Sequence, residues 1–565
     1  MKWDMDEEML HNEKCSIKMK RRTDAEKPVP GRWDIPWILL TGLFLGFLKC
    51  SSLSFDTLGA IPLNSQPFWG KCVLYGIGFM VPVAFVFWIA PVIDKWLRRM
   101  DGVILSRLSD KMNVSGLRIF FFLAFMIAWI PVFLAMYPGY LAYDGPVQLL
   151  QIWPKLQLDA SHPVAHTLFM SGCISLGKAL LGSNEAGLML YSIAQELILA
   201  YVLAYLLAYL LQKKVPKLIV IFDFLLLSFH PLIQLFVVVT TKDVIFGALF
   251  MLFFLYSVDM VQDMAAFFGS RKKIVVYMVL AVLMALFRKQ GIYCVCLMAP
   301  FMIFVCRKYL KKACICLLVP VALVLVLTGP VSDACGIIPD EPKEMLSVPI
   351  EQLVYVALQD ENKISRSDLD TIASYIPSDV WGEYNPYIAD PVKSFFNNEL
   401  YRDNSKDFFR VWWKLGKEHP IQYVSAFGYL TEPYWYMGTQ HHYWSLFAPF
   451  YSLEGSFVVG QKSLLPGYYG YLMRAGQNNL ANGGFWSILS GMFISISVPV
   501  YFLFFCLIGM IRQKKWKFLV PMILLGGYIG SLFLGPVACM RYIFPVLLFN
   551  PLCFGMLFME IKQHE

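Results

Sequence analysis

The sequence predicts an all-α membrane protein that crosses a bilayer many times. Of its 565 residues, 58% are hydrophobic and only 16% are charged, whereas soluble domains carry about 25% charged residues. Several uninterrupted apolar runs approach the roughly 20 residues that an α-helix needs to cross the hydrocarbon core. The same runs argue against a β-barrel, because barrel strands alternate apolar and polar residues.

Positive charge in the loops sets the predicted orientation. The net charge of +8 resides in short basic clusters between apolar runs, which is how membrane proteins keep loops on the cytoplasmic side. No nucleic-acid partner is therefore expected. Residues 1–34 are rich in Lys and Arg and are predicted to form a cytoplasmic tail. Residues 35–118 are predicted to form two spans and a basic cytoplasmic loop.

The rest of the chain divides into three predicted segments. Residues 119–330 form a membrane core, residues 331–483 a mainly α extracytoplasmic domain rich in Tyr and Trp, and residues 484–565 the C-terminal spans. Keeping nearly every strong basic cluster inside gives about twelve transmembrane helices. This requires residues 163–181 to lie in the interface as an amphipathic helix. If they span the bilayer instead, every later loop is inverted.

Unusual polar residues are expected to gather on the outer face in this orientation. Charged side chains at membrane depth are costly and usually face a cavity or a partner. Lys242 and Arg288 could bind phosphate oxygens there. Asp144 and Asp243 could hold a divalent cation such as Mg or Mn, or accept a proton. The full set on this face is Asp144, His162, Lys242, Asp243, Arg288 and Arg541.

Each of these residues also has a plain structural interpretation. Asp144 precedes Gly145 and Pro146, and Asp-Gly-Pro is a good turn sequence. Asp243 suits the positive end of a helix dipole. Arg288 could simply extend its charge from a helix end toward the interface. The argument for a site therefore depends on whether these side chains converge.

Five short motifs carry these residues. They read YPGYLAYDG at 137–145, SHP at 161–163, TTKD at 240–243, FRKQGIY at 287–293 and MRYIFP at 540–545. In this order, and with a late exterior domain, they resemble the GT-C superfamily of membrane glycosyltransferases, closest to an uncharacterised bacterial branch. The resemblance covers roughly residues 119–300 well, and the rest of the chain by hydropathy alone.

The resemblance implies a GT-C-like fold and transfer of a sugar with inversion at its anomeric carbon. The donor would be a polyprenyl-phosphate-linked sugar and the acceptor a polymer, lipid or protein of the cell envelope, at the outer face of the cytoplasmic membrane. By this analogy Asp144 is the base, or the metal ligand of some members, and Asp243 is the second outer acid. The residues assigned to the donor phosphate are Lys242, Arg288, His162 and Arg541.

The chain departs from the family pattern in its first outer loop. Many relatives have a paired acid, or Glu-Lys-Pro, where this chain has Gly145 after Asp144 and the sequence Ser-His-Pro at 161–163. Metal use and the donor sugar therefore stay open. A transporter or flippase of lipid-linked glycans is an alternative, although the two similar halves typical of secondary transporters are not evident in the sequence. A glycan polymerase or ligase is another.

Overall fold

The computed structural model describes residues 34–104, 113–153, 157–436, 462–476 and 495–559. Within these ranges the chain is α-helical, with isolated β-bridges in place of extended strands. It divides into two compact units. The predicted cytoplasmic tail at residues 1–34 lies outside the described residues, apart from Asp34.

The first unit contains residues up to Cys50 and residues Ser65–Ile104. It holds most of helix α1 (Asp34–Leu58) and helix α2 (Gln66–Ile104). Glycine permits a close approach here, because a Cβ atom on Gly46 would lie 2.4 Å from the carbonyl oxygen of Cys72. Small residues at such crossings let membrane helices pack by close backbone contact. The two spans predicted at the N-terminus are thus helices that pack on each other.

The second unit contains residues 51–64 and everything from Leu105 onward. Its first half supplies the helices that lead into and out of the charged motifs. They are α3 (Val114–Ala135), α4 (Gly145–Leu150), α5 (Val164–Leu181), α6 (Asn184–Gln212), α7 (Lys217–Phe229), α8 (Pro231–Val237), α9 (Lys242–Gln262), α10 (Met264–Gly269), α11 (Arg271–Phe287), α12 (Gln290–Val305), α13 (Leu310–Val326) and α14 (Ser332–Ala334).

The second half of this unit begins with a separate helical domain and ends with apolar helices. Within the domain, helix α18 buries one apolar face, from Phe408 through Val411 to Leu415, in a hydrophobic core of its own. The helices are α15 (Ser347–Asp360), α16 (Arg366–Tyr375), α17 (Asp390–Lys393), α18 (Asn398–Glu418), α19 (Pro420–Trp435), α20 (Pro466–Gly476), α21 (Ser497–Arg512), α22 (Trp516–Leu532) and α23 (Met540–Met556).

Helix length and composition make this a helical membrane protein. Among the described residues, seven helices are long and apolar enough to cross a bilayer, or eight if the bent pair α7 and α8 counts as one span. Four shorter apolar helices, α12, α21, α22 and α23, have 16 or 17 residues. At 1.5 Å per residue they reach about 25 Å, short of a hydrocarbon core of about 30 Å. Within the described residues, length and composition thus identify seven or eight spans, and the twelve expected from the sequence stay a prediction.

Residues 163–181 fold as helix α5, which is among the seven. It packs against α6, and the two backbones touch at Gly177 and Gly187. A Cβ atom on Gly177 would lie 2.4 Å from the Cα atom of Gly187. The polar residues that suggested an interfacial helix include His166 and Ser171, and both are buried. They face protein, so their polarity does not decide whether α5 spans.

Helices α7 and α8 form one apolar run that bends by 57° between Phe229 and Pro231. Proline has no backbone N–H and its ring clashes with the preceding turn, so it breaks a helix interior. The imidazole of His230 accepts a hydrogen bond from the N–H of Leu232 at 3.3 Å and caps the second segment. The bend directs the chain into the turn at 238–241 that precedes α9.

Two glycine substitutions in α5 should have opposite effects on stability. Gly177→Ala should destabilise the protein by about 1–3 kcal/mol, since the new Cβ atom overlaps the Gly187 backbone. Gly172→Ala on the same helix has no atom within 4 Å of its new Cβ and should stabilise by about 0.5–1 kcal/mol through helix propensity. Thermal unfolding of the purified protein in detergent measures both. Equal melting temperatures for the two variants would contradict the close contact between α5 and α6.

Candidate functional site

Short backbone contacts bring the first outer loop onto the turn before α9. Tyr140 forms a parallel β-bridge with the segment 238–240, donating to the Val238 carbonyl at 3.0 Å and accepting from the Thr240 N–H at 2.9 Å. The Thr240 hydroxyl also accepts from the Ala142 N–H at 3.0 Å. These hydrogen bonds fix the position of the loop relative to the turn before α9. Asp144 follows two residues after Ala142.

Close packing at Gly145 excludes a larger side chain next to Asp144. A Cβ atom at this position would lie 2.7 Å from the Thr240 hydroxyl oxygen and 3.1 Å from the Leu141 side chain. A second acidic side chain therefore does not fit beside Asp144. The close packing leaves a single carboxylate at the tip of the loop.

Asp144 is the centre of a cluster of side chains from four parts of the chain. Its Oδ2 atom lies 2.9 Å from Lys242 Nζ and 3.6 Å from His162 Nδ1. Its Oδ1 atom lies 2.9 Å from Arg541 Nη1. The four side chains are only 13–21% exposed. The sequence-based expectation that these residues converge is met for Asp144, His162, Lys242 and Arg541.

The charge state of the cluster follows from burial and its neighbours. Burial raises the pKa of Asp144, but the positive charges of Arg541 and Lys242 outweigh this and hold the pKa well below its usual range. Burial lowers the pKa of His162, with the Asp144 carboxylate partly opposing it, so the imidazole is neutral at pH 7. One carboxylate facing two cations leaves an excess of positive charge, which suits an anionic ligand.

A second ion pair lies beside the first. Asp243, the next residue after Lys242, forms a close ion pair with Arg288, and the two side chains are 0% and 4% exposed. The Thr241 hydroxyl donates to Asp243 at 2.8 Å. Arg288 and Arg541 each approach the ring of Tyr542 with their guanidinium carbon 4.8 Å from its centroid. Tyr542 therefore connects the two ion pairs.

Unused hydrogen-bond donors remain next to Asp144. The Tyr143 hydroxyl and the Arg541 Nε atom are both buried, and neither has a hydrogen-bond partner within the described part of the chain. The Arg541 guanidinium also lies 4.9 Å above the Tyr143 ring. Buried polar atoms are normally paired, so these two donors are available to a ligand oxygen.

Gln195 and Tyr191 of α6, which the sequence analysis did not single out, hold the turn before α9. Gln195 Nε2 lies 2.9–3.1 Å from the carbonyl oxygens of residues 236, 237 and 239. Its Oε1 atom accepts from the Tyr191 hydroxyl at 2.9 Å, and that hydroxyl lies 2.8 Å from His166 Nε2. The other nitrogen of His166 lies 2.9 Å from Gln148 in α4. The sequence signal was the four-residue spacing of Tyr191 and Gln195, which places them on one helix face.

The two aspartates do not form a metal pair in this arrangement. Within the described ranges, no three His, Cys, Asp or Glu side chains come close enough to hold an ion. Asp144 binds Lys242 and Arg541, and Asp243 binds Arg288. Both carboxylates are already paired with protein cations. A Mg or Mn ion could bind to Asp144 and Asp243 only by displacing those cations.

A family of unknown function, DUF6020, matches residues 150–565. The chain belongs to DUF6020. The matched region of this DUF6020 member includes His162, Lys242, Arg288 and Arg541, and Asp144 lies just before its start. No curated protein and no solved structure matches the chain.

Asp144→Asn should destabilise the protein, because it leaves Lys242 and Arg541 without their counter-charge. The expected loss is roughly 2–3 kcal/mol, between the values for surface pairs and fully buried pairs. Asp259→Asn is the matched control: Asp259 is also 21% exposed, but it faces a single cation, Lys213 at 3.1 Å. Its loss should stay below about 1 kcal/mol. Thermal unfolding at pH 7 distinguishes the two variants, and equal losses would contradict the central role of Asp144.

The stability contributed by Asp144 should depend on pH in one direction. Its pKa is lower in the folded protein than in the unfolded chain, so the contribution is complete above the unfolded pKa of about 3.9 and declines as pH falls below about 4. The difference in melting temperature between the wild type and Asp144→Asn should therefore be constant from pH 7 to about pH 5 and shrink below about pH 4. A difference that grows on acidification would refute this assignment.

Proposed function

We propose that the chain transfers a sugar from a polyprenyl-phosphate-linked donor to a cell-envelope acceptor at the outer face of the cytoplasmic membrane. The observation that supports this proposal is the convergence of Lys242 and Arg541 on the carboxylate of Asp144. The pair of Asp243 and Arg288 next to it is internally neutral. The excess positive charge of the cluster is complementary to the negative charge of a phosphate.

The donor phosphate would bind to Lys242 and Arg541. A guanidinium presents two parallel N–H donors to a phosphate, and Lys adds a compact positive charge. An acceptor hydroxyl oxygen attacks the anomeric carbon, the bond from that carbon to the phosphate oxygen breaks, and its electron pair leaves with the polyprenyl phosphate. Lys242 and Arg541 would stabilise the negative charge that grows on this leaving group.

Asp144 would gain basicity when the donor binds. In the present arrangement Arg541 and Lys242 hold its pKa well below the usual range despite burial, which makes it a weak base. A phosphate that takes over these two cations neutralises their effect on the carboxylate, so burial would then raise the pKa. Asp144 could then accept the proton of the acceptor hydroxyl. Donor binding would in this way precede activation of the acceptor.

The proposal includes the topology of a GT-C-like protein with a cytoplasmic N-terminus. The loop that carries Asp144 and the turn before Lys242 would both face the outside. Helix α5 would lie in the interface, and α11 together with the short helices α12 and α21 to α23 would complete about twelve spans, with local thinning of the bilayer. The cytoplasmic side would carry the loop between α6 and α7, where Lys213 and Lys214 lie.

A transporter or flippase of lipid-linked glycans is the second candidate, favoured by one observation. The broken pair α7 and α8, bent by 57°, leads directly into the turn before Lys242. Discontinuous helices at a binding site are typical of secondary transporters. Movement of a labelled lipid-linked glycan across vesicles without any transferred product would favour this candidate. A polymerase or ligase would instead be recognised by its acceptor and the length of its product.

Lys242→Gln and Arg541→Gln should each weaken binding of polyprenyl phosphate by about 10- to 100-fold, since a hydrogen bond to a charged group contributes about 1.5–3 kcal/mol. The measurement is titration of the purified protein in nanodiscs with a short-chain polyprenyl phosphate. Lys213→Gln is the control, because Lys213 is likewise paired with an aspartate. The uncharged polyprenol is the control ligand. Equal affinity for phosphate and alcohol, or an equal loss in Lys213→Gln, would exclude the phosphate site.

Small epitope tags should report opposite sides of the membrane at two loops. A tag after Gln157 should be accessible to antibody in intact cells, whereas a tag after Lys214 should require permeabilised cells. Tags on the same side would mean that α5 spans the bilayer, which would overturn the proposed topology. A tag after Leu63, in the loop between α1 and α2, serves as the outer reference.

A further inference from the structure

A pocket lies at the helical domain of α15 to α19, and none of the residues of the Asp144 cluster lines it. Its volume is ≈ 660 Å³, within the range of about 300–1,000 Å³ for small-molecule sites. Aromatic rings form much of its wall, and all of them belong to the second unit. They are Phe55, Tyr355, Tyr384, Tyr387 and Tyr429.

The rings of this pocket hold one another in place. Phe55 stacks on Tyr429 with ring centroids 4.1 Å apart, and Tyr387 meets Tyr429 edge-on at 5.5 Å. Tyr355 lies 5.8 Å from Tyr384, and its hydroxyl donates to the Gly59 carbonyl at 2.8 Å. Phe55, Tyr355 and Tyr429 are buried and support the two half-buried rings, Tyr384 and Tyr387. A ring held in place in this way loses little entropy when a ligand packs on it.

Polar side chains line one edge of the same pocket. Asp360 and Gln422 are both in the lining, and Gln422 Nε2 donates to Asp360 Oδ2 at 2.5 Å. His419 Nδ1 lies 2.9 Å from the same oxygen. The exposed Gln359 adds a second amide to this edge. The pocket therefore combines stacked rings with fixed hydrogen-bonding groups.

A buried acidic residue, Glu351, lies next to the aromatic wall of the pocket. Glu351 is 1% exposed and lies against the Tyr384 side chain. Burial raises the pKa of Glu351 well above its usual range and so favours its neutral, protonated form.

We propose that this pocket binds one or two sugar rings of the acceptor glycan; its role as acceptor site rests on the proposed function. A pyranose presents a flat face of C–H groups. Their partially positive hydrogen atoms pack on the negative face of an aromatic ring. Its hydroxyl groups at the rim match the amides and carboxylate of Gln359, Gln422 and Asp360. An acyl chain would bury the remaining hydrogen-bonding capacity of these groups without using it. A phosphate would find the nearby cation Lys363 already paired with Asp360 at 2.5 Å.

The wall of the pocket is joined to the segment that carries Arg541. Ile388, the residue after Tyr387, forms an antiparallel bridge with Val537. The next residue, Ala389, donates its N–H to the Pro536 carbonyl at 2.8 Å. Four residues after Val537 comes Arg541, which binds Asp144. A saccharide held by Tyr387 would thus be fixed relative to the backbone that positions Arg541.

Saccharide binding can be measured without donor or transfer. The protein is placed in nanodiscs free of sugar-headed detergent, and saturation-transfer NMR is recorded with maltose, cellobiose and N,N′-diacetylchitobiose. At least one should bind saturably, with glycerol as the negative control. Tyr387→Ala and Gln422→Ala should each reduce affinity at least about 10-fold, whereas Tyr387→Phe should retain it. Trp413→Ala removes an aromatic ring that is 61% exposed elsewhere in the domain and should change nothing.

The pocket proposal fails if none of the three saccharides binds, or if Tyr387→Ala binds as tightly as the wild type while its melting temperature is unchanged. Its failure is distinguishable from failure of the proposed function. If Lys242→Gln loses polyprenyl phosphate binding but no saccharide binds to the protein, only the pocket proposal is refuted. If a saccharide binds but the protein does not distinguish polyprenyl phosphate from polyprenol, the transferase proposal is refuted instead.

Discussion

The contact of Asp144 with Lys242 and Arg541 is the interaction on which the rest of the site depends. Burying a charge is unfavourable unless a partner of opposite charge neutralises it. Removing one member of such a pair leaves the other buried without a counter-charge. Each of these three side chains would be expensive alone at this depth, but together they are only 13–21% exposed. The loop, the start of α9 and the start of α23 are therefore held at one point by electrostatics.

Hydrogen bonds from the membrane helices fix this point in space. The side-chain amide nitrogen of Gln195 in α6 lies 2.9–3.1 Å from three carbonyl oxygens at the end of α8 and in the turn after it. Buried carbonyls need such partners, so the bend at Pro231 and the amide of Gln195 belong together. The turn they form receives the first outer loop through Tyr140 and Thr240. Hydrogen bonds among buried polar groups rigidify the elements that carry them.

The helical domain is connected to the site rather than simply attached to the membrane core. Its segment at 388–389 pairs with the backbone at 536–537, directly before Arg541. On the other side, Lys289, next to Arg288, forms an ion pair with Asp340 at the entrance to the domain. Both arginines of the site thus lie beside contacts with the domain. Movement of the domain would be transmitted to the phosphate-binding cations that we propose.

The sequence by itself determined that this is a helical membrane protein. It also singled out Asp144, Lys242 and Arg541 as candidate site residues, because charges near apolar runs are costly. Only the tertiary structure decided that Asp144 pairs with Lys242. The two residues are 98 residues apart, and no periodicity in the sequence relates them. The partners of Gln195 were likewise decided by the tertiary structure, because they are backbone carbonyls near the end of a neighbouring helix. The four-residue spacing of Tyr191 and Gln195 indicates only that the two share a helix face. Local patterns encode burial and helicity, whereas convergence depends on how the helices pack.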